Sequence, residues 1–238
     1  PNKLATLLSL AKTKSSLFLK NSSNLLALPP MTHATALATL RVLLPVGLSA
    51  YDAAPQLAPL IAFKLVSLSV QYGNAPQSPY GYAAYGLTLC SELGEIEAGY
   101  KFGQLALQLL ARVQAREIES KTLFLVASFI QHWKTHIRET LPAFLKGRQI
   151  GLDMGDWEFA ALHMRNHAYY SYFAGEELGL LAQNMANDGE AIRQFKQTLT
   201  LASHRIYWQT VLNLLNPIKS GPENSEAPVY DPCSLIGE

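Results

Sequence analysis

The stretch SPYGYAAYGLTLCSELGEIEAGYKFGQ, residues 78–104, decides the fold class. It reads as two helices around a tight break at Leu93-Gly94-Glu95. Ser78 is a cap residue, and Pro79 sits just inside the helix, where a missing N–H is tolerated. Tyr82 and Gly86 fall on the first of these helices, Ala98 and Phe102 on the second. Small residues such as Gly86 and Ala98 let two helices approach closely, and the aromatics fill the gap to a neighbouring hairpin. Later in the chain Gly179 and Ala186 are expected to play the same packing parts.

Helical periodicity continues in both directions. Upstream, an apolar stripe that includes Leu8 and Leu10 marks a first helix to about residue 19, and Asn21 to Pro30 reads as a loop. Thr32 is the expected cap of a second helix that Pro45 should kink or end. A third helix starts near Pro55 and stops at Gly73-Asn74. Downstream, a second pair spans about Glu117 to Lys134 and Arg138 to Leu152. A third runs from about Trp157 to Phe173 and from Glu176 onward, with Asp156 as its cap. A last helix is expected over about Glu190 to Leu215. The breaks at Gly94 and Gly175 are 81 positions apart with a turn near His136 between them, two steps of roughly 40 residues. No useful β-alternation is present, so the class is all-α. The expected partition is a leading helical group over 1–76, hairpins packed on it over 77–216, and a linker over 217–238 rich in Pro, Gly and Ser.

Composition narrows the function classes. About half the residues are apolar and 16% are charged, which excludes a disordered chain. Nineteen basic and 18 acidic residues leave a net charge of +1, with no electrostatic footprint for nucleic acid. Cys90 and Cys233 form no disulfide framework, which points to a reducing, cytoplasmic setting. The longest apolar candidate for a membrane span, Leu37 to Ala50, is interrupted by Arg41, Pro45 and Gly47, so no span is expected. Lys3, Lys12 and Lys14 among leucines lack the apolar core of a signal peptide, and the chain reads as an interior piece of a longer protein.

The hairpin starting at Pro79 resembles a tetratricopeptide (TPR) repeat, although Leu110 stands where that repeat usually has proline and the period is longer. The expected architecture is a TPR-like right-handed solenoid of antiparallel hairpins. Seven runs carry a second resemblance: Leu28-Pro-Pro-Met-Thr32, Ser69-Val-Gln-Tyr-Gly-Asn74, Tyr85-Gly-Leu-Thr-Leu-Cys90, Gly99-Tyr-Lys-Phe-Gly-Gln-Leu-Ala-Leu107, His132-Trp-Lys-Thr-His-Ile-Arg-Glu-Thr140, Gln149-Ile-Gly-Leu-Asp-Met-Gly-Asp156 and Glu190-Ala-Ile-Arg-Gln194. Together they resemble the central helical region of cyanobacterial-type hybrid sensor kinases. In that family a serine/threonine kinase and a predicted ATPase domain precede the region, and a GAF-type sensor and a histidine kinase follow it. Asp231-Pro-Cys-Ser-Leu-Ile-Gly-Glu238 resembles the entry to the next module. The resemblance implies a non-catalytic scaffold in a two-component signalling protein, whose partners are neighbouring domains or other signalling proteins.

The residues agree with a non-enzymatic reading. No glycine-rich phosphate loop, His-Arg-Asp, Asp-Phe-Gly or P-loop is present, so neither catalytic residues nor a cofactor is expected. His132/His136 and His163/His167 are each four apart and could share a helix face. Trp133 and Met164 stand where a zinc-protease motif needs glutamate, so no metal is expected. The aromatics of 80–85 and 169–173 read either as inter-helix packing or as anchors lining a concave groove. On the second reading Tyr82, Tyr85, His163 and Tyr170 are the expected partner contacts. The alternative function is a small-molecule-sensing helical domain, with its ligand held between helices near that cluster.

Overall fold

The computed structural model describes residues 3–18 and 25–215 of the chain. Ten α-helices lie among them: α1 (Lys3–Phe18), α2 (Ala34–Ala53), α3 (Ala58–Tyr72), α4 (Ser78–Ser91), α5 (Ile96–Val113), α6 (Arg116–Phe129), α7 (Leu141–Met154), α8 (Trp157–Ala174), α9 (Leu178–Gln194) and α10 (Thr198–Leu215). No strand is present among the described residues, and the fold is all-α. The expected linker 217–238, with Cys233, lies outside the described residues, as do loop residues 21–24. The chain divides into two compact units, Pro1–Thr135 and His136–Glu238, a boundary different from the expected one at 76/77.

In the first unit α4 is the centre, packed by α2, α3, α5 and α6. Two of the quoted runs, 28–32 and 69–74, meet near its start. Gly73 turns the chain at φ 100°, and a Cβ there would collide with the Pro29 carbonyl. That approach lets Asn74 N–H donate to Pro29 O (2.8 Å) while Met31 N–H donates to Asn74 O (2.8 Å). The Asn74 side chain donates to Leu25 O (2.8 Å) and accepts from the Tyr82 hydroxyl (3.3 Å). Asn74 thereby ties residues 25–31 to the α3–α4 turn, and every bond in this buried knot has a protein partner.

Several local expectations change. The cap of α2 is His33, whose Nδ1 accepts from Ala36 N–H (3.2 Å), rather than Thr32. Pro45 does not end α2, which runs on to Ala53. Leu44 and Ala50, on either side of Pro45, are buried and Leu48 packs against the core, so packing outweighs the lost backbone bond. This helix is long and apolar enough to cross a membrane, with mean hydropathy 1.4 over Ala34–Tyr51. Arg41 lies within that window, where a bilayer centre would cost about 2.5–3.5 kcal/mol. Ser78 does not cap α4 but closes the turn before it. Its hydroxyl accepts from Ala75 N–H (2.8 Å) and lies 2.7 Å from Ser69 Oγ.

In the second unit α8 is central, packing on α7, α9 and α10. Its ends follow the expected chemistry. Asp156 accepts from Phe159 N–H (3.3 Å), and Gly175 closes the helix at φ 76°. Arg138 Nε donates to Ala174 O (2.9 Å), placing a cation at the helix C-terminus where the carbonyls are unpaired. The two helices of the expected middle hairpin, α6 and α7, fall in different compact units. The expected last helix from Glu190 is really two helices: α9 ends at Gln194, and Lys196 turns the chain at φ 58° before α10.

Candidate functional site

The tyrosine-rich segment of α4 is the first place to look for chemistry. Eleven of its 14 residues are buried, which only a helix surrounded by others can achieve. Tyr82 and Tyr85 are 0% and 1% exposed. Phe102 of α5 stacks on Tyr82 at 6.2 Å between ring centroids and meets Tyr85 edge-on at 4.8 Å, while Phe63 of α3 meets Tyr85 edge-on at 5.9 Å. Burial raises the hydroxyl pKa of Tyr80 and Tyr82 well above the ordinary value and that of Tyr85 to about 12. These phenols stay protonated and act as ring and hydroxyl packing groups.

Small residues hold α4 and α5 together, as expected for Gly86. A Cβ on Gly86 would lie 2.8 Å from Gly99 O, and one on Gly99 would lie 2.7 Å from Gly86 O and inside Cys90 Sγ. Gly103 adds to the seam against Ile130. The position of close approach on α5 is therefore Gly99, and Ala98 beside it is half-buried. In the second unit the expectation for Gly179 fails. It is exposed on the first turn of α9, and a Cβ there would meet only the Glu177 carboxylate that caps the helix. Ala186 is half-buried. The tight positions are Gly147, whose added Cβ would enter the His163 ring, and Gly151 against Ala160.

All four expected partner contacts are core residues, which corrects that reading. His163 is 0% and Tyr170 8% exposed; Phe144 meets Tyr170 edge-on at 4.9 Å and His163 at 5.9 Å. Burial also pushes the Tyr170 hydroxyl up to about 12. None of Tyr82, Tyr85, His163 and Tyr170 offers a face to a partner. The open aromatic face is a neighbouring one. Phe173 is 58% exposed and touches Tyr169 (4.8 Å) and Tyr172 (5.1 Å), with Tyr207 of α10 4.5 Å from Tyr169.

Charged groups missed by the sequence reading lie inside the second unit. Asp188 of α9 is 6% exposed and accepts from Arg148 Nη1 of α7 at 2.7 Å. His204 of α10 is fully buried, with Nε2 2.8 Å from Met185 O, and His167 of α8 feels the charges of Glu176, Asp188 and Arg148. Asn187-Asp188-Gly189 has the composition of a turn, so its place inside a helix carries no signal at the sequence level. Burial raises the Asp188 carboxyl pKa against the pull of Arg148, and burial lowers both imidazoles from the ordinary 6.5.

The sign of the pH response follows. A depressed imidazole pKa means that the folded state binds fewer protons, so its stability contribution is present above 6.5 and is lost as pH falls through the folded values. The raised Asp188 pKa acts oppositely, its contribution being present below the ordinary 3.8 and lost as pH rises through the folded value. The urea midpoint should therefore fall between pH 7.5 and 5.5, and His204→Gln should flatten that slope. Equal midpoints at the two pH values would contradict the neutral buried imidazoles.

The histidines serve local structure. His136 Nδ1 accepts from Arg138 N–H (3.2 Å) and His136 N–H donates to Glu139 Oε1 (3.4 Å), a capping box before α7. His132 lies against the Trp133 ring at 5.2 Å. Among the described residues no group of three or more His, Cys, Asp or Glu side chains is placed to hold a metal ion. A cleft of about 410 Å³ lies between α1 and α3. No family model, no curated protein and no solved structure matches the chain.

Proposed function

We propose that this chain is a non-catalytic interaction segment, coupling neighbouring modules of a cytoplasmic multidomain signalling kinase. Its hairpins would stack as a TPR-like right-handed solenoid. The residue blocks quoted above support this context, as do the close-packed helix pairs α4/α5 and α7/α8. The left-handed turn residues Gly155 and Lys196 are 41 positions apart and keep the spacing of roughly 40 residues in a shifted register.

The observation that carries the interaction reading is the exposed Phe173 within the Tyr169–Tyr172–Tyr207 ring cluster. Aromatic rings held rigid by their neighbours anchor interfaces at low entropic cost, and truncating such an anchor typically costs about 2 kcal/mol, near thirtyfold in affinity. The test is phosphotransfer by the full-length kinase carrying this segment, with Phe173→Ala against wild type. An exposed ring is removable without harm to the fold, so a change of severalfold in rate supports the coupling role. Unchanged phosphotransfer overturns it.

A further inference from the structure

The cleft between α1 and α3 has a chemistry that the interaction reading does not use. Its floor is apolar, formed by Phe63, Leu68 and Val70, and its walls are polar. Thr13 and Ser67 close part of it, their hydroxyls 3.3 Å apart, and Thr13 also donates to Ser9 O (2.9 Å). Lys12 of α1 and Lys64 of α3 both line it, both are exposed, and neither forms an ion pair with a described residue. Neither helix contains a single Asp or Glu, and the nearby Glu95 is taken by Lys14. Two cations thus converge on a small cavity with no carboxylate in its lining. Ser9 and Gln71 add polar side chains to its lining.

We propose that this cleft binds a small organic anion, a phosphate or carboxylate carried on an apolar body, with Lys12 and Lys64 receiving its charge. Its volume falls within the roughly 300–1,000 Å³ of small-molecule sites, and an apolar floor with a few polar groups is their usual lining. Charge-assisted hydrogen bonds from two ammonium groups would orient the acid group, and the floor would take the rest. The proposal is independent of the role assigned to Phe173.

Calorimetric titration of the intact chain tests it, with phenyl phosphate and benzoate as probes and benzyl alcohol as the uncharged control. At least one anion should bind with one-to-one stoichiometry, more weakly as salt rises. Binding of phenyl phosphate alone identifies a phosphate ligand, and of benzoate alone a carboxylate. The Lys12→Gln/Lys64→Gln variant, which removes two exposed charges that pair with no described residue, should lose about tenfold or more in affinity. No binding of either anion, equal binding of benzyl alcohol, or undiminished binding by a double variant with wild-type circular dichroism would overturn the site.

Discussion

Gly99→Ala is expected to destabilise the first unit, although the same change in an ordinary helix interior would stabilise it. The intrinsic preference favours alanine by about 1 kcal/mol. Against this, the new methyl would lie 2.7 Å from the Gly86 carbonyl and inside the Cys90 sulfur. A backbone oxygen cannot rotate away, so α4 and α5 must separate, and overpacking of this kind costs about 1–3 kcal/mol or more. The net loss should be about 2 kcal/mol, which lowers the melting temperature by about 4–8 °C in a chain of this size. Cys90→Ala should restore only part of the loss in a double-mutant cycle, because the carbonyl contact remains. A neutral or stabilising Gly99→Ala would show that the two helices are not held at this distance.

Phe144→Ala is expected to have the larger effect, in the second unit. The ring is fully buried and is in edge contact with both Tyr170 and His163. Truncating a buried phenylalanine typically costs about 3–5 kcal/mol, from lost transfer energy and the cavity left behind. Gly147 brings α7 against the His163 ring with no room for a methyl, so the surroundings are packed on both sides and little collapse can fill the hole. Urea unfolding followed by circular dichroism should show a clear fall in midpoint. Phe144→Leu should recover most of it, as a change that nearly conserves volume. A loss below about 1 kcal/mol would contradict a packed centre at α8.

Much of the helix pattern was legible because its punctuation is local. Gly73, Gly94, Gly155 and Gly175 all adopt positive φ and mark real breaks, and Asp156 caps α8 as its position suggests. The missed break at Lys196 shows the limit of that reading. A lysine takes the left-handed conformation there, so neither glycine nor proline announces the turn. Pro45 errs the other way, since core packing by Leu44, Leu48 and Ala50 carries α2 through it. Tyrosine spacing could not separate groove-lining rings from core rings. That depends on how many helices surround α4 and α8, which is a property of tertiary packing. Asp188 was invisible for the same reason: its burial follows from α7, α8 and α10 around it, and its own sequence context is that of a turn.

The tyrosines and histidine singled out by spacing are inner supports of the two units, and contact with partners must come from other side chains. Hydroxyl-radical footprinting of the intact chain, read residue by residue by mass spectrometry, tests this most directly. Tyr82, Tyr85, His163 and Tyr170 should be strongly protected, while Tyr51 and Phe173, 52% and 58% exposed, should label rapidly. Labelling of Tyr82 and Tyr85 at the rate of Tyr51 would contradict the account, because α4 could not then be the buried centre of its unit.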